Sequence, residues 1–280
     1  MKRIAYALLL ALGAIPACDS GDFLVAEIVA NGGSAASGGG TVAGGGSGTS
    51  AGMGGNAAGG AAPMGGGGAA SDCTGNALFI VGSDTLTRGD SAILDRLRAL
   101  GFVVSIIADT MVTVDSAQDV DFVFISRSVQ SPEIMASFRD LPVPLFVTEY
   151  NLYAGLGMTP HGTASSGGDT LEATQLTIDD PTHPLAAGLS GTVTVLTPGK
   201  GQYGFGVPGG DARVVATLVD EPQGSAIFAY EQGSTMIDLV APARRVGYFL
   251  DIQASTRLTP EGWTLFDAAV KWTAGTCAPP

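Results

Sequence analysis

The sequence predicts an α/β fold: a doubly wound, mostly parallel sheet with extra strands in the second half. Three observations carry that expectation. Continuous apolar runs of strand length alternate with helical periodicity between residues 77 and 149, the pattern of strands buried on both faces beneath helices. Short strand-like segments separated by Gly and Pro clusters fill the stretch from 176 to 250. The glycine excess, 42 residues in 280, is local: residues 31–70 hold 18 of them with ten Ala and four Ser, so residues 73–280 remain as one domain.

The chain begins MKRIAYALLLALGAIPAC, with Lys2 and Arg3 ahead of a fourteen-residue apolar run from Ile4 to Ala17. That run is shorter than the about 20 residues a bilayer span takes, and it suits a signal peptide over residues 1–17. It closes on Ile15-Pro16-Ala17-Cys18, which resembles the lipobox of bacterial lipoproteins. The resemblance implies cleavage before Cys18, acylation of its thiol and amine, and a membrane as partner. Pro16 is an uncommon residue at its place in that motif. The expected location is an exported, lipid-anchored protein, with the choice of membrane open, or a secreted one if Cys18 carries no lipid. Loss of Lys2 and Arg3 with the signal takes the formal charge from −13 to −15.

Residues 18–72 read as the lipidated N-terminus and a tether. No charged residue occurs between Glu27 and Asp72, and there is almost nothing apolar to bury after residue 31. Such a segment cannot offset its ordering entropy. A coil of 40 residues spans roughly 35 Å on average. With Cys18 acylated, Cys73 and Cys277 remain, one at each end of the folding region, and in an oxidising compartment the pair is expected to form a disulfide.

Ala77–Val81 is the first strand. Asp90 is expected to cap a helix that turns Ile93, Leu94, Leu97 and Leu100 inward and stops at Gly101. Phe102–Ile107 and Asp121–Ser126 follow as strands. Ser131-Pro132-Glu133 opens a second helix with Pro in the first helical position and Phe138 on its buried face. Leu145–Glu149 is the fourth strand. Leu176–Ile178, Val193–Thr197, Arg213–Val219, Ser225–Tyr230 and Arg245–Leu250 are further strands, and residues 198–211 (PGKGQYGFGVPGGD) are a loop. Thr259 caps the last helix, with Pro260 in its first turn and Trp263, Phe266, Val270 and Trp272 packed inward.

The order ALFIV, FVVSII, DFVFIS, LFVTE resembles the class I glutamine amidotransferase-like fold, which implies a flavodoxin-like doubly wound sheet. DPTHPLAAGLSG (180–191), RRVGYFL (244–250) and TPEGWTLFDAAVKWTAG (259–275) look more narrowly like its ThuA-like branch. That branch includes proteins of trehalose utilisation and secreted carbohydrate-associated proteins, which implies carbohydrate as the ligand class. The resemblance also implies a nucleophilic Cys on the turn after a central strand. The equivalent turn here, Thr148-Glu149-Tyr150-Asn151, has neither Cys nor Ser, so glutamine amidotransfer is not expected.

Other chemistry is thin. The acidic balance excludes a nucleic-acid partner, which needs clustered Lys and Arg. GTSAG (48–52) and GFGVPG (204–209) match nucleophile and dinucleotide patterns without the strand–turn–helix context either requires. His161 is expected to face solvent. Asp115, Asp119 and Asp121 lack calcium-loop order, so no metal and no cofactor is expected. In open parallel sheets ligands bind beyond the carboxyl ends of the strands. That rule nominates Ser83, Asp84 and Thr85 after the first strand, Ser126, Arg127 and Ser128 after the third, and Tyr150 and Asn151 after the fourth. Two functions follow: a non-catalytic tethered domain that binds or displays, with carbohydrate as its candidate ligand, or a carbohydrate-processing hydrolase using Glu149, Asp84 and His183.

Overall fold

The computed structural model describes residues 73–277 except 131, 163–166, 172 and 200–201. The signal, Cys18, the tether and GTSAG all lie outside the described residues.

The five parallel strands come first. They are β1 (Asn76–Val81), β2 (Val103–Ala108), β3 (Phe122–Ile125), β4 (Leu145–Val147) and, from the end of the chain, β11 (Arg245–Tyr248). They stand in the order β2-β1-β3-β4-β11, all in parallel register. This is the flavodoxin-like order, in which strand order reverses between β1 and β3. The extra strands of the second half then join antiparallel, as β10 (Ser225–Tyr230), β9 (Arg213–Leu218), β6 (Gln175–Ile178) and β7 (Gly191–Thr194). A hairpin-like pair, β5 (Gly167–Leu171) and β8 (Gln202–Gly206), branches off β10.

Helices cover both faces. On one, α1 (Arg88–Ala99) and α3 (Pro260–Ala274) bring Ile93, Leu97, Phe266 and Val270 onto Phe79, Phe124 and Phe146. Phe124 stacks on Phe146 at 4.7 Å, and Phe266 leans on both. On the other face, the short α2 (Glu133–Phe138) sets Ile134 and Phe138 against Ile80, Val123 and Ile125. The alternating side chains of one strand thus feed two cores, as strands buried on both faces require.

Several sequence expectations need correction. Thr87, not Asp90, is the N-cap of α1; Asp90 is three residues inside it and completes a capping box. Pro132 is the N-cap of α2, so its first helical residue is Glu133. Residues 198–211 are not all loop, because β8 runs through them, and β5 also went unexpected. Both strands are rich in Gly, and the reason is contact: a Cβ on Gly206 would sit 2.8 Å from the Phe228 ring, and one on Gly204 3.3 Å from that of Tyr150. The sheet there trades β-propensity for close approach. Thr259 caps α3 as expected, with Pro260 as its first residue.

Cys73 and Cys277 form a disulfide 204 residues apart in sequence. It ties the segment before β1 to the residues just after α3.

Candidate functional site

At the reversal of strand order, beyond the carboxyl ends of β1 and β3, lies the N-terminus of α1, the place where such folds take an anion; here the Asp90 N–H donates to the Thr87 hydroxyl at 3.0 Å. In this chain the anion is its own. The Asp90 carboxylate is buried and takes the Thr87 hydroxyl at 2.7 Å and the Ser126 hydroxyl at 2.5 Å. The Ser128 hydroxyl lies 3.3 Å from the same carboxylate and accepts the Gly82 N–H at 3.0 Å. Ser126 in turn accepts the Ser128 N–H at 3.1 Å. Turn and helix therefore satisfy each other.

Backbone closes what remains of the crevice. A Cβ on Gly89 would meet the Ile252 carbonyl at 1.7 Å, and one on Gly82 the Ser128 carbonyl at 2.0 Å. Only glycine allows so close an approach at either place. The cavity left between α1, Ser126, Thr148 and Asp251 measures about 10 Å³. That is the room of a single water at most.

The neighbouring turn, after β4, carries Glu149. Its backbone is relaxed, at φ −84° and ψ 96°, and lacks the strain of a nucleophile elbow. Its carboxylate is 2% exposed and both oxygens are engaged. One pairs with the Arg127 guanidinium, and the other accepts the Asn151 N–H at 2.9 Å. Burial pushes the Glu149 carboxyl above the usual carboxylate range, and Arg127 only partly opposes that shift. Arg127 also lies 3.9 Å from Asp251 and 4.6 Å over the ring of Tyr150. Behind them Tyr153, wholly buried, accepts the Tyr248 N–H at 3.0 Å and so occupies the gap where β4 and β11 part.

The structure brings together Ser126, Ser128, Arg127, Glu149, Tyr150 and Asn151. It leaves Ser83, Asp84 and Thr85 exposed on the β1 turn, where the Ser83 hydroxyl accepts the Thr85 N–H at 3.2 Å. His183 does not join them. Its Nδ1 accepts the Leu185 N–H at 3.2 Å, and its ring packs 5.5 Å from Trp272 in the last turn of α3. Arg244, the residue before β11, lies over that same Trp272 ring and donates to the Trp272 carbonyl at 2.6 Å. His183 is therefore at the amino end of the parallel strands, opposite Glu149, and the combination of Glu149, Asp84 and His183 as one catalytic group is corrected. The cause is the antiparallel path through β6, β9 and β10, which returns the 180–187 turn to the far end of the sheet. His161 is exposed as expected.

Sequence reasoning missed Asp90 as the buried hub and Asp251 as the second acid beside Arg127. The strand-end rule applied to β11 would have found Asp251, since it follows the apolar run RVGYFL directly.

A larger opening lies at the amino end. A groove of about 530 Å³ runs along α3 between Pro184, Ala187 and Cys277, and Arg244, Asp267, Ala268, Lys271 and Trp272 line it. Among the described residues no group of three or more His, Cys, Asp or Glu is placed to hold a metal ion. No described helix is long and apolar enough to cross a membrane.

No protein-family model and no curated protein matches the chain. Solved structures similar to it include a putative GMP synthase subunit from Thermoplasma acidophilum, at 14% identity and TM-score 0.49 over 72% of this chain and 95% of that one. PurLQS from Thermotoga maritima is another, at 14% identity and TM-score 0.45 over 70% of this chain and 98% of that one. Likenesses of that degree bear on neither chemistry nor partner.

Proposed function

We propose that this chain is an exported lipoprotein whose single α/β domain is a non-catalytic binding module, held away from a bacterial membrane by residues 18–72 and directed at carbohydrate. The observation that carries the non-catalytic part is the occupation of the fold's usual site by the chain itself. Asp90 fills the anion position at the α1 N-terminus, Glu149 stands on the turn where a nucleophile would, and both oxygens of Glu149 are engaged. A cavity of about 10 Å³ admits no sugar.

The groove along α3 is the better candidate for a ligand. Its volume of about 530 Å³ falls within the range of small-molecule sites, and charged, hydroxyl and aromatic groups border it. Groups of that kind hold polyhydroxylated ligands by hydrogen bonds around an apolar floor. Calorimetry against a panel of envelope and storage oligosaccharides tests this part, with Ala268→Trp filling the groove while removing no polar contact. A sugar bound by the parent and lost in Ala268→Trp supports it; no sugar bound, or equal binding by both, overturns it. The anchor is tested separately, by fatty-acid labelling. Label that persists in Cys18→Ala overturns the lipoprotein reading and leaves the groove untouched.

A further inference from the structure

His183 caps the turn that walls one side of the α3 groove, and it does so through an unprotonated nitrogen. It is the N-cap of the 3-10 turn Pro184–Ala186, and its Nδ1 accepts the Leu185 N–H at 3.2 Å. Pro184 and Ala187 line the groove, while Leu185 and Ala186 are fully buried in the core that α3 also joins. The turn closes on Ala187 at φ 53°, a left-handed conformation that a residue with a Cβ adopts at a cost. The His183 ring rests 5.5 Å from the ring of Trp272, which lines the same groove.

We infer that this turn is an acid-sensitive latch on the groove: a proton added at Nδ1 of His183 releases the Leu185 N–H and frees residues 184–187 from α3. The bonding fixes where that proton goes. A neutral imidazole that accepts at Nδ1 carries its one proton on Nε2, so a second proton goes to Nδ1. In the imidazolium both nitrogens are donors, and a donor then faces the Leu185 N–H. The other bonds across the turn run from the Ala186 N–H to the His183 carbonyl at 2.9 Å and from the Ala187 N–H to the Pro184 carbonyl at 3.1 Å. Neither satisfies Leu185, whose buried N–H is costly to leave without an acceptor.

The surrounding charges do not favour a cation on His183. Asp180 stands just before it and Glu231 just after β10, but each is paired with an arginine. Asp180 lies 3.2 Å from Arg213 of β9, and Glu231 lies 3.1 Å from Arg244. On α3, Asp267 is paired with Arg96, and Lys271 stands along the groove beside Trp272. With these charges opposed, burial decides and holds the imidazole below its usual range. The closed latch is therefore complete above about pH 6.5 and is lost as pH falls through the lower folded value. The inference concerns the wall of the groove and stands whether or not a sugar binds there.

Tryptophan emission from the full-length protein reads the latch. The chain has two Trp, so Trp263→Phe leaves Trp272 as its one indole. On acidification from about pH 7.5 to about pH 5 the emission should fall with a midpoint below about 6.5, because an imidazolium in contact with indole quenches it. Opening also bares Trp272, which is 9% exposed in the closed turn, so quenching by acrylamide should rise over the same range. His183→Asn keeps a capping oxygen and does not titrate, so in it neither change should occur. Measured against His183→Asn at each pH, protection of the Leu185 amide from hydrogen exchange should drop about fivefold, the weight of one ordinary hydrogen bond. No fall in emission, a fall that persists in His183→Asn, or a fall without the rise in acrylamide quenching overturns the inference. If Trp263→Phe does not fold, the Leu185 exchange of parent and His183→Asn decides alone.

Discussion

The two ends of the parallel strands solve the same problem with opposite chemistry. At the carboxyl ends, buried carboxylates gather donors: Asp90 holds Thr87 and Ser126 hydroxyls, and Glu149 holds Arg127 and a backbone amide. At the amino ends, a buried cation gathers acceptors. Arg245 is fully buried and donates to the carbonyls of Val143 at 2.9 Å and Leu141 at 2.6 Å. Burial draws its guanidinium down to about 10. The contrast also runs in space: the inner crevice at the carboxyl end keeps about 10 Å³, with an opening of about 370 Å³ beside it between Thr87, Gly89, Ile252 and Arg257, while the amino end keeps a groove of about 530 Å³. The crevice where strand order reverses, the usual opening of such a fold, is here filled by the chain's own side chains.

If Arg245 is a keystone of the amino end, removing it should have the largest effect. Arg245→Ala leaves two buried carbonyls without a donor and a large void, at a cost of about 3–5 kcal/mol in urea unfolding. A loss under about 1 kcal/mol, the scale of an exposed contact, would show that water replaces the guanidinium. The disulfide at the same end comes next. It closes a 204-residue loop, and Cys277→Ser should lower stability by about 2–4 kcal/mol, with a change in gel mobility of the parent on reduction. Equal midpoints with and without reductant would contradict that.

At the carboxyl end the hub is Asp90. Asp90→Ala removes the carboxylate that the buried Ser126 hydroxyl donates to and the side-chain half of the α1 capping box, for about 2–3 kcal/mol. Asp90→Asn keeps an acceptor and should recover roughly half of that, as hydrogen bonds to a neutral acceptor are about half as strong. Equal losses in both variants would mean that charge, not hydrogen bonding, holds the crevice closed.

How much of this was readable beforehand divides along the sheet. Four of the five parallel strands announce themselves because burial on both faces leaves unbroken apolar runs, as in Leu78–Val81 and Phe122–Ile125, whereas β2 is apolar yet largely exposed. The α3 cap was readable for the same local reason, a Thr-Pro pair ahead of a periodic stretch. The branch formed by β5 and β8 was not, because Gly167, Gly168, Gly204 and Gly206 are chosen for what packs against them, and those partners lie far away in sequence. The site divides likewise. Strand ends brought Arg127 and Glu149 into view, whereas His183 was misplaced because the path of the antiparallel strands leaves no periodic signature. Asp90 looked like a cap because its second role, holding Ser126, joins residues 36 apart.

Glu149 offers the finest comparison between the ends, because its carboxyl is raised whereas the Arg245 guanidinium stays charged throughout the neutral range. Raised above its ordinary value of 4.5, Glu149 binds its proton more tightly in the folded than in the unfolded chain. Stability from this group is therefore complete below about 4.5, the ordinary glutamate range, and declines as pH rises through the folded value. Glu149→Gln removes the titration and keeps the shape. Thermal unfolding of parent and variant should show the parent's advantage shrinking as pH rises above about 4.5, by less than either keystone loss. Arg127, 17% exposed and 3.9 Å from Asp251, keeps an anionic neighbour in the variant, which limits the penalty of losing Glu149. A parent whose advantage grows with pH would mean that the pair with Arg127 outweighs desolvation, and the carboxyl end would then be a true ion-pair lock.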